Sequence, residues 1–278
     1  MSLSLEGFIT IMNGWPPEAV WAVMAITCFF VILIMLRLFG AAGIYVYMAV
    51  AIVIANIQVT KAVQFNVYPN PVALGTVVFA STYLCTDILT EYYGRVFARR
   101  GLWLGFCALS LSTILMTLTL GFAPMTAEQA ASGDMAWALP NHDAMMNLFK
   151  PAPALLVAGM TAYITSQYND IWIYLLVRRL TGTKHLWLRN NVSTMVSAFI
   201  DNTIFSVLAW VVFAPQPVGL SPLFFTFILG TYFERMFLAV VDTPFMYLAR
   251  WCLPLGDSQR YEAELAAARA QERRFVRR

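Results

Sequence analysis

Seven apolar stretches divide this chain, at approximately 19–38, 42–61, 72–91, 101–123, 152–178, 192–214 and 222–252. Each is about as long as the ~20 residues a helix needs to cross some 30 Å of hydrocarbon, where only helices and closed barrels satisfy their own backbones. None alternates polar and apolar residues in the manner of a barrel strand. Composition points the same way: 60% of the 278 residues are hydrophobic and 12% are charged, against roughly 25% charged in a soluble domain. So little charge cannot wet the surface around such a core. The expected fold is all-α, a polytopic membrane helix bundle of about seven transmembrane helices. It divides into a transmembrane domain over 1–255 and a basic cytoplasmic tail over 256–278. Residues 1–19 hold no Lys or Arg and the first apolar run is too long for a signal-peptide core, so no cleaved leader is expected.

With seven spans the connections alternate between two sides. One side then carries fifteen of the 18 Lys and Arg: Arg37, Arg95, Arg99, Arg100, Arg178, Arg179, Lys184, Arg189 and the seven arginines from Arg250 onward. The other carries Lys61 and Lys150, together with Glu6, Glu18, Glu128, Asp134 and Asp143, while Arg235 falls inside the last span. The positive-inside rule therefore puts the N-terminus outside and the C-terminus in the cytoplasm. The acidic connection 124–150 is the place for a short interfacial helix. The tail 257–278 reads as a solvated Ala-, Glu- and Arg-rich helix attracted to anionic lipid, with a specific docking element as the alternative. Pro69, Pro71, Pro215, Pro217 and Pro222 mark breaks at the outer ends of spans.

An Asp, Lys or Arg at the centre of a spanning helix costs about 2.5–3.5 kcal/mol, so such residues point to function. This chain has many: Asn56, Gln58 and Lys61, Asp87 and Glu91, Gln167 and Asp170, Asp201 and Asn202, then Glu234, Arg235 and Asp242. Asp87 and Glu91 share a helix face at a spacing of four, Gln167 and Asp170 at three, and Ser197 lies one turn before Asp201. Arg235 and Asp242 are too far apart for a direct pair, so Arg235 is expected to neutralise a carboxylate on another helix. Lys61 can snorkel to the outer face, and Glu91 reads as an interfacial ion pair beside Arg95. Tyr163, Tyr168, Trp172 and Tyr174 are candidates for an aromatic wall, with belt and core positions as the plainer account. Polar glue between helices is served by Ser, Thr and Asn. Five carboxylates exceed that need and suggest a polar cavity.

The chain holds no HExxH, GxSxG, Walker or GxGxxG motif, and His142 and His185 fall in loops on opposite sides. Cys28, Cys85, Cys107 and Cys252 are scattered through apolar sequence without CxxC spacing, as packing thiols are. No enzyme, cofactor or metal site is therefore expected. Without an ATP site, transport would draw on an ion gradient, on metabolic trapping or on a separate energising subunit. TDILTEYYGR (86–95) faintly echoes NDIWIYLLVR (169–178), each with Asp-Ile and then Arg near a cytoplasmic helix end.

Five segments together resemble the VUT family of queuosine precursor transporters: RLFGAAGIYVYMAVAIVIANIQVTKAV (37–63), STYLCTDILTEYYGRVFARR (81–100), SQYNDIWIY (166–174), GTKHLWLRNNVSTMVSAFIDNTIF (182–205) and VVDTPFMYLAR (240–250). The resemblance implies uptake across the bacterial inner membrane of a deazaguanine destined for tRNA modification: 7-cyano-7-deazaguanine, its aminomethyl relative or queuine. The family's polar positions fall here on Asn56, Gln58, Asp87, Glu91, Gln167, Asp170, Asn190, Asn191, Asp201 and Asp242, and all of these except Asn190 are the candidate substrate-binding residues. Glu234 departs from the family's frequent lysine. The partners implied are a small planar purine-like substrate and the lipid bilayer, with no nucleic acid and with a homo-oligomer left open. A carboxylate can accept both adjacent donors of a guanine-like edge, while Gln167 or Asn56 would serve the ring carbonyl. Asp201 is the first candidate for that clamp and Asp170 the second. Two other readings stay open: a substrate-binding membrane subunit that needs a separate energising partner, and an assembly protein whose buried charges only join helices.

Overall fold

The computed structural model describes residues 4–67, 72–149, 153–182, 185–214, 216–263 and 266. Pro69, Pro71, Lys150, Lys184, Pro215 and the tail at 264–265 and 267–278 lie outside the described residues. The described chain is helical apart from turns and one two-residue antiparallel ladder, β1 (Ala62–Val63) against β2 (Val72–Ala73). It begins with α1 (Leu5–Asn13), capped by the Ser4 hydroxyl accepting from the Gly7 N–H at 3.1 Å.

The next helix, α2 (Pro17–Gln58), opens on a proline whose missing N–H has no intrahelical partner to lose. It is interrupted at Gly40, where φ 58° and ψ −139° take the backbone out of the helix, a conformation that glycine reaches without a Cβ clash. The chain folds back there. Gln58 Nε2 meets Met24 Sδ at 3.9 Å, and the Glu18 carboxylate accepts from the backbone N–H groups of Asn66 and Val67. Limbs 17–39 and 41–58 thus form an antiparallel hairpin, matching the first two expected stretches.

After the ladder comes α3 (Thr76–Tyr92), entered through Gly75 at φ 99°, where a Cβ would stand 2.6 Å from the Ala55 carbonyl oxygen. α4 (Arg95–Leu120) follows. The connection expected to hold one short helix holds α5 (Ala127–Ser132), a 3-10 turn (Ala136–Ala138) and α6 (Leu139–Phe149). His142 therefore lies in a helix, whereas His185 stands just before one. α7 (Pro153–Thr181) and α8 (Leu186–Val207) pack along much of their lengths, and α8 runs on through a π turn (Leu208–Val212). Last come α9 (Leu220–Pro222), π turns over Leu223–Leu229, α10 (Gly230–Val241) and α11 (Thr243–Cys252). The stretch expected as one span is thus two helices joined at Asp242. Pro244, at the start of α11, has no N–H to carry the helical ladder across the joint.

α3 is central, touching α2, α4, α7, α8, α10 and α11, and nearly every residue from Val77 to Tyr92 is buried. The outside is apolar: Phe30, Leu38, Leu118, Phe233 and Trp251 are all exposed, while Asp87, Gln167 and Asp170 are wholly buried. Polar inside and oily outside is the distribution of a bundle solvated by lipid. Among the described residues four helical stretches are long and apolar enough to cross a membrane: Pro17–Gln58 with its hairpin, Arg95–Leu120, Leu186–Val212 and Leu220–Val241. The fold is an all-α membrane helix bundle. The described part of the tail does not stand free in solvent, because Tyr261 is buried and Glu262 pairs with Arg250.

Candidate functional site

Helical spacing puts polar side chains on one face of each of three neighbours: Thr82, Tyr83, Thr86, Asp87, Thr90 and Glu91 on α3, Ser166, Gln167, Asp170 and Tyr174 on α7, and Asn190, Thr194, Ser197 and Asp201 on α8. These faces meet in a buried polar column. Along α7 from Ser166 to Arg178 it runs about 18 Å at 1.5 Å per residue. It has three levels.

At the first level Arg235 of α10 pairs with Asp201 Oδ2, while Asp201 Oδ1 accepts from Ser166 Oγ at 3.1 Å. Ser166 Oγ in turn accepts from the Tyr83 hydroxyl at 3.1 Å. The Arg235 guanidinium also sits 5.0 Å from the centroid of the Phe79 ring. Phe79 packs edge-on against both Tyr83 and Tyr163. Arg235 therefore neutralises a carboxylate on another helix, as its spacing from Asp242 requires. Gln167 Nε2 donates to Thr82 Oγ1 at 3.0 Å, which leaves Gln167 Oε1 buried without a partner, as is the Ser197 hydroxyl one turn from Asp201.

At the second level Asp87, Asp170 and Asp242 come together from α3, α7 and the α10–α11 joint. Thr86 Oγ1 donates to Asp170 Oδ2 at 3.2 Å, Thr194 Oγ1 to Asp87 Oδ2 at 3.3 Å, and Asn190 Nδ2 to Asp242 Oδ1 at 2.9 Å. Thr86, which bonds Asp170, is the chain neighbour of Asp87, and Asn190 and Thr194, which bond Asp242 and Asp87, lie one turn apart on α8, so the three carboxyl groups stand within electrostatic range of one another. Among the described residues, no Lys or Arg pairs with any of the three. Each aspartate precedes an arginine by eight residues, Arg95, Arg178 and Arg250. The Asp-to-Arg spacing of the echo between 86–95 and 169–178 therefore recurs at 242–250, where Thr243 replaces the Ile.

At the third level, beside those arginines, Glu91 is enclosed. Its carboxylate takes Arg189 Nη2 at 2.6 Å, the Tyr174 hydroxyl at 2.9 Å and the Tyr261 hydroxyl at 3.0 Å, with Arg178 Nη1 at 3.7 Å. Glu91 is thus in an ion pair, with Arg189 and Arg178 rather than Arg95. Burial and the adjacent Glu91 carboxylate push the Tyr261 hydroxyl above the usual tyrosine range, so it remains a donor.

The column gathers Asp87, Glu91, Gln167, Asp170, Asn190, Asp201 and Asp242 and leaves other candidates aside. Asn56 donates to its own helix at Ile52, Gln58 lies between the α2 limbs, and Asn191 bonds Thr243 and the Trp187 carbonyl outside the column. Lys61 is exposed just past α2. Glu234 points to α2, where Trp21 Nε1 donates to it at 2.5 Å. The expected aromatic wall is dispersed: Tyr163 lies by the first level and Tyr174 by the third, Tyr168 accepts from Trp103, and Trp172 is 63% exposed and faces outward. Sequence reasoning overlooked Arg189 as a site residue, counting it among surface charges although it lies in the 182–205 motif and is 2% exposed. It also gave no signal for Tyr261.

A family model described as "Putative vitamin uptake transporter" matches residues 73–249, which takes in the whole column except Tyr261. The chain is 32% identical over 235 residues to the "Probable queuosine precursor transporter" of Bacillus subtilis (strain 168), covering 84% of this chain and 95% of that relative. No solved structure matches the chain. With family model and relative in agreement across most of its length, the chain belongs to the VUT family and is a multi-pass membrane transporter rather than an enzyme.

Proposed function

We propose that the chain imports a queuosine precursor, a 7-deazaguanine, and that the ring docks at the Asp201–Arg235 couple. The observation that carries this reading is that couple itself, a carboxylate beside a guanidinium in the interior of a bundle. A deazaguanine edge presents two adjacent donors, the ring N–H and the exocyclic amine, next to a carbonyl acceptor. Asp201 offers the matching acceptors and Arg235 the matching donor fork, and charge-assisted pairing of this kind is strong. The ring exchanges partners with the couple, so neither charge is left bare. Gln167 Oε1 and the Ser197 hydroxyl supply spare polar capacity at this level, and Phe79, Tyr83 and Tyr163 supply aromatic faces. The cargo class follows the relative named above. Candidates are 7-cyano-7-deazaguanine, its aminomethyl form and queuine.

The same reading takes the two α2 limbs, α3, α4, α7, α8 and α9–α11 as seven spans, with the N-terminus outside and the C-terminus, after a transmembrane domain ending near 255, in the cytoplasm. Exposed Arg95, Arg99 and Arg100 at the start of α4 and Arg179 near the end of α7, with half-buried Arg178 beside it, support that orientation. The test is thermal stabilisation of the purified protein by the three deazaguanines, guanine and adenine. A ligand at ~100 Kd adds about 2.7 kcal/mol to apparent stability. A deazaguanine should stabilise the protein and adenine should not, and Asp201→Asn should abolish the effect while the protein remains folded in the membrane. Equal stabilisation by adenine, or an unaltered response in Asp201→Asn, overturns the assignment.

A further inference from the structure

We infer that Asp87, Asp170 and Asp242 form a proton-carrying centre, distinct from the purine dock, through which this transporter couples to a proton gradient. Three features point there. The first is convergence: Asp87, Asp170 and Asp242 are brought together from three elements, and each accepts a hydrogen bond from a neutral side chain, Thr194, Thr86 and Asn190 respectively. The second is charge. The two arginines nearest in the column are committed elsewhere, Arg189 to Glu91 and Arg235 to Asp201. Three fully ionised aspartates would bring uncompensated negative charge into a buried site, which proteins avoid by binding protons. The third is spare hydrogen-bonding capacity. Asp87 Oδ1, Asp170 Oδ1 and Asn190 Oδ1 are buried without partners.

The surroundings define which groups titrate together. α3 contributes Asp87 with Tyr83 and Glu91 on either side, α7 Asp170 and Tyr174, α8 Arg189 and Asp201, α10 Arg235, and the α10–α11 joint Asp242. From α2, Cys28 and Tyr47 approach Cys85 and Ser81. The buried residues of α4 are small or apolar, Ala98 through Leu109. Thr194 Oγ1 and Asn190 Nδ2 each present a donor to one of these aspartates, and among the described residues no three His, Cys, Asp or Glu side chains are arranged to hold a metal ion. Ser166 and Tyr83 lead from Asp201 at the purine level, and Glu91 with Tyr174 lies on the cytoplasmic side. The step is simple protonation: a hydronium from the outer side gives its proton to a carboxylate, forming the acid and water, and after reorientation the acid returns the proton to water inside.

Coupling, though not proton binding, rests on the transport reading, so two measurements are paired. The first needs no substrate. Infrared spectra of the purified full chain at neutral pH should contain a protonated-carboxyl C=O band that shifts in D2O and is lost or halved in Asp87→Asn and in Asp242→Asn. No such band, or a band untouched in both variants, overturns the centre. The second uses proteoliposomes with labelled 7-cyano-7-deazaguanine. An acid-outside gradient of one pH unit should drive up to about tenfold accumulation for one proton per substrate. Asp87→Asn should fall to onefold while retaining substrate–substrate exchange and ligand-induced stabilisation, and Asp87→Glu should restore accumulation in part. Wild-type accumulation that follows a sodium gradient and ignores pH, or Asp87→Asn that accumulates like wild type, overturns coupling. Lack of stabilisation by any deazaguanine, with the infrared band present, removes the cargo and leaves the centre standing.

Discussion

Glu91 and Asp87 are one turn apart on the same helix, both buried, yet they live in opposite electrostatic settings. Around Glu91 every neighbour is a donor: two arginines and two tyrosine hydroxyls converge on one carboxylate. Around Asp87 the neighbours include two more carboxyl groups, one weak threonine donor and an oxygen with no partner. The difference separates what holds the bundle shut from what is free to change. A charge that is fully answered is fixed in place, while one that is under-answered is available to a proton or a ligand.

Breaking the answered end should cost most. Glu91→Gln or Arg189→Ala leaves a buried charge without its partner, a loss of about 3–5 kcal/mol, read as a large fall in unfolding temperature in detergent. Next comes Gly40→Ala. An alanine there must adopt φ 58°, and its Cβ would lie 3.0 Å from Asp257 Oδ2 and 3.3 Å from the Tyr93 hydroxyl, which bond each other. Strain of this kind costs on the order of 1–3 kcal/mol, measured the same way. Tyr261→Phe removes one hydrogen bond to a charged acceptor that keeps three other partners, so about 1–2 kcal/mol is expected. Asp87→Asn is the sharpest comparison because its stability effect should be smallest. Removing one of several crowded carboxylates should leave the unfolding temperature unchanged or slightly raised, by no more than about 1 kcal/mol. A loss in Asp87→Asn as large as in Glu91→Gln would erase the distinction.

Much of this contrast was legible in the sequence, though unevenly. Apolar run lengths gave the hairpin of α2 and the all-α membrane class, because the hydrocarbon thickness acts on each segment separately. Spacing gave the shared faces of Asp87 with Glu91 and of Gln167 with Asp170, and it excluded a direct Arg235–Asp242 pair. What spacing could not supply was which face meets which across the bundle. An arginine one turn into a helix reads like a snorkelling surface charge, so Arg189 was misplaced until α3 was seen against α8. Trp172 sits among the residues of a polar motif, yet helix periodicity turns it toward lipid. The break at Asp242 had a cue in Pro244, but an apolar run conceals where one helix becomes two. Tyr261 had no local cue, since its role depends on a residue far away along the chain.

That distance bears on the order in which the protein assembles. The Tyr261 hydroxyl reaches Glu91 across 170 residues, a separation that makes the contact among the most entropically demanding in the molecule. Tyr261 leaves the ribosome after Tyr174, Arg178 and Arg189, the other partners of Glu91. Glu91 therefore spends the early part of folding in an unfinished site, held by its nearer partners. Closing that site needs the far end of the chain, and so comes after its nearer partners have been made.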